Sequence, residues 1–389
     1  MRVAGLAVFA LATLGFACGH SKATIRVPQD AATIAEAIAR ADPGDTILVG
    51  RGTYPGGYVV PRDRHGITIR GVDRNAVLLD GENTRRSGIV VHADGVSILN
   101  LSAHDFPVDG FRWEDADRFR ASYLTVWNVG QYGIYVEGGE RGTVDHDFVS
   151  GAGDAAYYVG ECEHCDATVA HVVAALSAVG YSGTNASDVV IRDSVWDRNG
   201  AGILPNTYAN EAHAPQRRAT IVRNTVTGSG RARVPINTPL AGFIGIGIGV
   251  GGGSDDVVRD NSVRASERYG IAVFPTARRI AFASPAAHDP GPPWRAAGNT
   301  VARNTLSRSG LADLVLANGV GPANCFRANA ERTSLPRGLD GRRCTRSGDA
   351  GVTRALTAGT RRMFDETVRR RRPPEYTEMP RPSAQPNMP

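Results

Sequence analysis

The chain of 389 residues reads as an all-β solenoid of short stacked strands, and two observations predict it. The first is a repeated phrase: a polar or small anchor, a β-branched or apolar pair, then a small residue opening a strand. Anchors fall at Asn100, Leu124, Asp147, His171, Asp193, Asn224, Asn261 and Asn304, spaced 24, 23, 24, 22, 31, 37 and 43 residues apart. The strand openings, nine residues on, are Gly133-Ile134, Ala156-Tyr157, Gly180-Tyr181, Gly202-Ile203 and Gly270-Ile271. A period of about 23 built from short strands means one coil per repeat, because one coil buries its apolar face only by stacking on the next. The second observation is composition. Forty-six glycines suit tight corners, and 42% apolar residues suffice for a continuous core.

Before the solenoid, MRVAGLAVFALATLGFAC has one Arg, an apolar run from Val3 to Ala17, and Cys18. The run is too short for a permanent membrane span and reads as an export signal. Ala17-Cys18 resembles a bacterial lipoprotein processing site, which makes Cys18 the expected lipid-bearing residue; an ordinary signal peptide cleaved nearby is the alternative. The remaining four cysteines are then expected to form two disulfides in an oxidising compartment: Cys162 with Cys165, and Cys325 with Cys344.

Residues 24–60 open the fold. Ile25 and Val27 alternate as a strand, Ala32 to Ala39 carry apolar residues at helical spacing, and Pro43-Gly44 ends that helix. A short amphipathic helix there covers the open end of the core. The order strand, short helix, ADPGDTILVGRGTY, GITIRG and repeated GIxV phrases resembles the pectin-lyase-like right-handed parallel β-helix superfamily over roughly residues 24–330. Within it, YYVGECEHCD, GYSGTNAS and GILPNTYANE resemble a group of exported bacterial β-helix proteins. The resemblance implies a single-stranded right-handed parallel β-helix. It leaves activity open, since the superfamily holds lyases, hydrolases, epimerases, copper accessory proteins and phage adhesins.

The expected segments are an export signal over 1–18, a cap over 24–45, the β-helix over 46–330, a C-terminal cap over 331–349 and a disordered tail over 350–389. That tail has eight Arg and four acids, +4 of a net charge of +5, so the body is near neutral and no nucleic-acid partner is expected. The lengthening repeats place inserted loops at 207–218, 229–243 and 275–298, where a solenoid shapes its binding face.

Strand alternation assigns the faces. Ile134, Val136, Tyr157, Val159, Tyr181 and Ile203 point inward. Outward columns then follow: Tyr135, Tyr158, Ser182, Leu204, and beside them Glu137, Gly160, Thr184, Asn206. The anchors occupy one repeated turn, where stacked Asn-type side chains satisfy buried backbone, so Asp147, His171 and Asp193 are read as structural. Asp145-His146-Asp147 resembles the DPHD segment of mannuronan epimerases, but the proline and the preceding Tyr-Gly are missing. Those epimerases also use a lysine, and Lys22 is the sole lysine of this chain.

Glu137 and Glu161, one coil apart, are the catalytic candidates, because neighbouring carboxylates drive their pKa values apart and suit acid–base work on a glycosidic bond. Tyr135, Tyr158, Ser182, Thr184, Asn206 and Glu211 are the substrate-binding candidates, the tyrosines offering flat faces to sugar rings. Cys162, His164 and Cys165 form a minority metal-site reading beside the disulfide. No cofactor is firmly implied. Calcium, which lyases of the superfamily hold with a uronate, is admitted by the resemblance, although the groove columns lack a compact Asp cluster. The expected function is an exported, secreted or lipid-anchored protein that acts as hydrolase or lyase on a polysaccharide or other anionic polymer along its outward groove. A non-catalytic glycan-binding surface protein and a copper accessory protein are the alternatives; oligomeric state is left open.

Overall fold

The structure, a computed structural model, describes residues 22–279, 291–341, 344 and 373–389. The expected export signal and Cys18 lie outside the described residues, as do positions 350–372 of the expected tail. Among the described residues, strands stack into three parallel sheets of 12, 11 and 10 strands, visited in turn by each coil. Each sheet adds one strand per coil, from Thr24–Val27 to Cys325–Arg327 in the twelve-strand sheet. The interior is one continuous apolar column, with Ile134, Val136, Tyr157, Tyr181 and Ile203 all buried as their alternation requires. The helix Ile34–Arg40 closes the column: Thr33 caps it by accepting from Glu36 N at 3.1 Å, and Ile34, Ala37 and Ile38 cover the first coil.

The corner ladder is real, and its register differs from the expected one at three anchors. Asn224, Asn261, Asn304 and Asn329 form a chain in which each backbone N–H donates to the next amide oxygen at 2.9 to 3.0 Å. Their Nδ2 groups donate to Ile191 O, Ile221 O, Val258 O and Val301 O, satisfying carbonyls that water cannot reach. Asp147 belongs to this column and accepts from Leu124 N at 2.6 Å. His171 and Asp193 do not. The column runs instead through Val172 and Ser194, whose Oγ accepts from Val172 N at 3.1 Å. His171 and Asp193 sit one residue earlier, at corners with φ of 56° and 52°. The cause is local: the turns leaving the ten-strand sheet at Leu176 and Arg198 are each one residue shorter than the equivalent turn at Gly153, since Phe148 pairs Val173 while Tyr157 pairs Tyr181, and the next coil keeps the shorter length. Asn100 occupies the same left-handed corner, φ 56°, so Leu101 and not Asn100 holds the ladder position of its coil.

Both expected disulfides are present, Cys162–Cys165 and Cys325–Cys344. Residues 373–389, expected as disordered tail, instead lie along the flank of the solenoid: Tyr376–Glu378 form a short 3-10 turn against the strand Thr125–Val129.

Candidate active site

The eleven-strand sheet builds the site. Its strands Phe111–Glu114, Tyr132–Glu137, Ala155–Gly160, Val179–Thr184 and Ala201–Asn206 are in register, so Arg112, Tyr135, Tyr158, Ser182 and Leu204 form one outward column. Glu114, Glu137 and Gly160 form part of the next. Gly160 is required there, because a Cβ would meet the Tyr158 ring at 2.4 Å. Tyr135 and Tyr158 stack with centroids 4.6 Å apart and planes 12° apart, and Tyr132 packs against both. Glu161 lies one residue beyond Gly160 at a left-handed corner, φ 56°. Its carboxylate thereby reaches back over the ring edge to accept from Tyr158 OH at 3.4 Å.

The strip is expected to be exposed, but the loops cover it: Tyr135 and Tyr158 keep only 7% and 5% exposure. The covering is specific. Asn185, fully buried, donates through Nδ2 to Tyr208 O, Glu211 O and Ala212 O and accepts from Tyr208 N. Ala212 N donates to Glu161 Oε2 at 3.0 Å. These bonds hold the 208–212 loop so that Glu211 faces Glu161 across the cavity. On the other side Pro239 and Leu240 come down from the 229–243 loop. The result is a cavity of about 220 Å³ lined by Tyr135, Glu137, Tyr158, Glu161 and Glu211 together with Arg112 and others.

Electrostatics set the protonation. Burial first, then the charges of Glu161 and Glu137 and a hydrogen bond with Glu161, push Glu211 up to about 7. Glu137 is also raised, by burial and then by Glu161, although Tyr135 OH at 3.1 Å and Arg112 Nη2 at 3.0 Å donate to its Oε2 and oppose the rise. Arg112 is heavily engaged: its guanidinium stacks over the Tyr135 ring at 4.2 Å, bonds Asp109 at 3.1 Å, and binds Glu114 besides Glu137. At the base of the cavity burial pushes Asp154 up to about 7, against bonds from Thr238 and Tyr132.

Of the expected site residues, Tyr135, Glu137, Tyr158, Glu161, Ser182, Thr184 and Glu211 converge on the cavity. Asn206 does not: fully buried, its amide donates to Leu204 O and accepts from Thr184 Oγ1, so it supports the wall. The metal reading at Cys162, His164 and Cys165 loses both sulfur ligands to the disulfide, and His164 pairs with Asp188 at 3.5 Å. Sequence reasoning misses Arg112, Tyr132, Asp154 and Asn185. Arg112 was findable, since Gly110-Phe111 follows Leu101 by nine residues; counting from Asn100 hides that coil. A separate group, Asp80, His104 and Asp105, has ligand atoms within 4.8 Å of one another on the ten-strand sheet.

Residues 87–284 match the family model described as the right handed beta helix region. No curated protein matches the chain in sequence. Among solved structures, the A-module of the Azotobacter vinelandii mannuronan C-5 epimerase AlgE4 is 13% identical with a TM-score of 0.50, over 76% of this chain and 87% of that one. A family 6 polysaccharide lyase from Pseudopedobacter saltans is 15% identical with a TM-score of 0.47, over 79% of this chain and 83% of that one. At such identity the likeness is one of fold. The stacked coils, the three parallel sheets and the matched half of the sequence agree: the chain belongs to the right-handed β-helix family and has the pectin-lyase-like parallel β-helix fold.

Proposed function

We propose that the cavity binds a glycan and hydrolyses it by acid–base catalysis between carboxylates. The observation that carries this reading is Glu211, a carboxyl pushed to about 7 and facing other carboxylates beside a stacked tyrosine pair. A group with a pKa near the working pH both holds a proton and releases it, which suits it to protonate a leaving glycosidic oxygen. Glu137 is its counterpart. Arg112 and Tyr135 both bond its Oε2, which leaves Oε1 to act on water or on the anomeric carbon. Glu161 takes part through Glu211: it accepts that group's hydrogen bond and sustains its raised pKa.

The charge balance supports hydrolysis over uronate elimination. A uronate needs a cation opposite its carboxylate, and among the described residues the one cation lining the cavity, Arg112, already engages Asp109, Glu114 and Glu137. A neutral or amino-bearing glycan fits this lining better than the anionic polymer expected from sequence. The Azotobacter vinelandii epimerase that shares the fold acts on mannuronan, a polysaccharide, in keeping with the broad substrate class. The test is a panel of neutral glucans, glucosamine polymers and polyuronates, assayed for reducing ends and for unsaturated sugars. Reducing ends from the neutral or amino members are expected. No release from any member, or unsaturated products from uronates, would refute the reading.

We further infer that the protein is exported and tethered through Cys18. The two disulfides support an oxidising compartment. Incorporation of a labelled fatty acid, abolished by Cys18→Ser, is the expected result; equal labelling of the variant would refute the tether.

A further inference from the structure

Residues 373–389 contain six prolines in seventeen positions. They run along the flank formed by the turns and strands around Arg74, Asn100 and Trp127, and most of the hydrogen bonds that hold them are made to their main chain, Asn387 being the exception, whose Oδ1 accepts from Arg74 N at 2.7 Å. The Asn75 side chain pairs with Gln385 in both directions: Nδ2 donates to Gln385 O and Oδ1 accepts from Gln385 N, each at 2.8 Å. Asn100 Oδ1 accepts from Met388 N at 2.9 Å. The Asn128 amide, in the orientation its neighbours require, donates to Tyr376 O at 3.0 Å and Met379 O at 3.1 Å. Arg74 Nη1 donates to Pro386 O at 3.0 Å.

The receptor side is built in advance. Arg74 is 2% exposed, and its guanidinium is fixed by Thr125 Oγ1 at 2.9 Å, His146 O at 3.2 Å and Leu124 O, all from the solenoid. Asn100 Nδ2 is anchored on Gly71 O at 2.9 Å. These polar groups therefore meet the segment already oriented. The segment, by contrast, behaves as a ligand and not as a piece of core: among its side chains only Met379 is buried, while Arg381 lies over the Trp127 ring at 5.4 Å. An element held by main-chain hydrogen bonds with little apolar burial opens at low free energy.

We propose that this flank is a binding groove for an extended, proline-rich peptide, and that residues 373–389 are its resident, exchangeable ligand. Prolines fix the extended backbone before binding and remove N–H groups, so little conformational entropy is lost. Two of the N–H groups that remain, at Gln385 and Met388, are the ones the asparagines bind. Recognition through main chain with few side-chain pockets is how grooves accept extended peptides. The groove is distinct from the catalytic candidate: it lies on the ten-strand side. A second cavity of about 410 Å³, lined by Gly130, Gly153, Asn237, Pro373 and Tyr376, adjoins the start of the segment.

The test uses the full chain with a specific protease site inserted between residues 345 and 372. After cleavage, the 373–389 fragment is expected to co-elute with the body and to exchange with a fluorescent synthetic peptide of the same sequence. A peptide N-methylated at Gln385 and Met388 keeps every side chain and loses both N–H donors; it is expected to bind at least about tenfold more weakly. Asn75→Ala in the body is expected to weaken the unmodified peptide similarly, with unchanged circular dichroism. Separation of the fragment without rebinding, or equal binding of the N-methylated peptide, would overturn the proposal. Exchange of the fragment for another protein's proline-rich segment of the same backbone character would support it.

Discussion

One face of the solenoid carries two different chemistries. Along the eleven-strand sheet, the coils from Phe111 to Thr184 turn Arg112, Tyr135, Glu137, Tyr158 and Ser182 outward. The coils from Ala201 to Leu316 turn outward Leu204, Ala272, Phe274 and Val315, which join Leu240 and Ile246 in a second apolar cluster outside the main column. Phe243, from the 3-10 turn Pro239–Phe243, stacks on Phe274 with centroids 5.0 Å apart. The backbone is the same in both halves. What differs is the load on the outward column, and the difference shows how a repeat fold makes a site: one half anchors the loop apolarly, and the free edge of that loop roofs titratable groups in the other half. Loop 229–243 touches both, since Leu240 belongs to the apolar cluster and lines the cavity.

Removing chemistry from the proposed catalytic half is expected to have the largest effect. Glu137→Gln is expected to lower turnover of the glycan identified by the panel by about 10²- to 10⁴-fold, with little change in melting temperature. Next in size is an attack on the anchoring half. Leu204→Ala should destabilise the fold by about 2–5 kcal/mol in denaturant titration, and it should weaken glycan binding by loosening the roof. A smaller effect is expected from Asn261→Ala, about 1–3 kcal/mol, because Ile221 O and the backbone of Asn224 lose their partner in the buried ladder.

A further effect is pH-dependent. Burial raises Asp154 and Asp256 to about 7, so the folded state holds protons that the unfolded chain releases near pH 4. Their contribution is present at low pH and lost as pH rises through that window. Melting temperature should therefore fall between about pH 4 and about pH 7, and Asp256→Asn should flatten the slope. Asp193 and Asp260, held at about 2 by arginine partners, act below this window. A flat profile in the wild type would remove the assignment of protons to these groups.

The coil period and strand alternation made much of this legible. They brought Tyr135 above Tyr158 and Glu137 near Glu161, because in-register parallel strands convert sequence spacing into contact. They failed where the turns at Leu176 and Arg198 are each one residue short, which puts His171 and Asp193 off the ladder, and where a coil was counted from the wrong side of a corner, which hid Arg112. No periodic signal marks Asn185, whose role is to grip a loop through three carbonyls, or the placement of residues 373–389, whose composition matches a disordered chain while their backbone finds a groove. The exposure of the tyrosines could not be read either, since it depends on inserted loops that obey no repeat.

Under the proposed function, Glu211 is the proton donor of the cavity. The most direct measurement compares wild type with Glu211→Gln for both binding of the panel's best glycan, by calorimetric titration, and its hydrolysis against pH. Near-normal binding is expected, with turnover lowered by at least about 100-fold and loss of the limb of the pH profile that lies near 7 in the wild type. Unchanged turnover with an unchanged profile would contradict it.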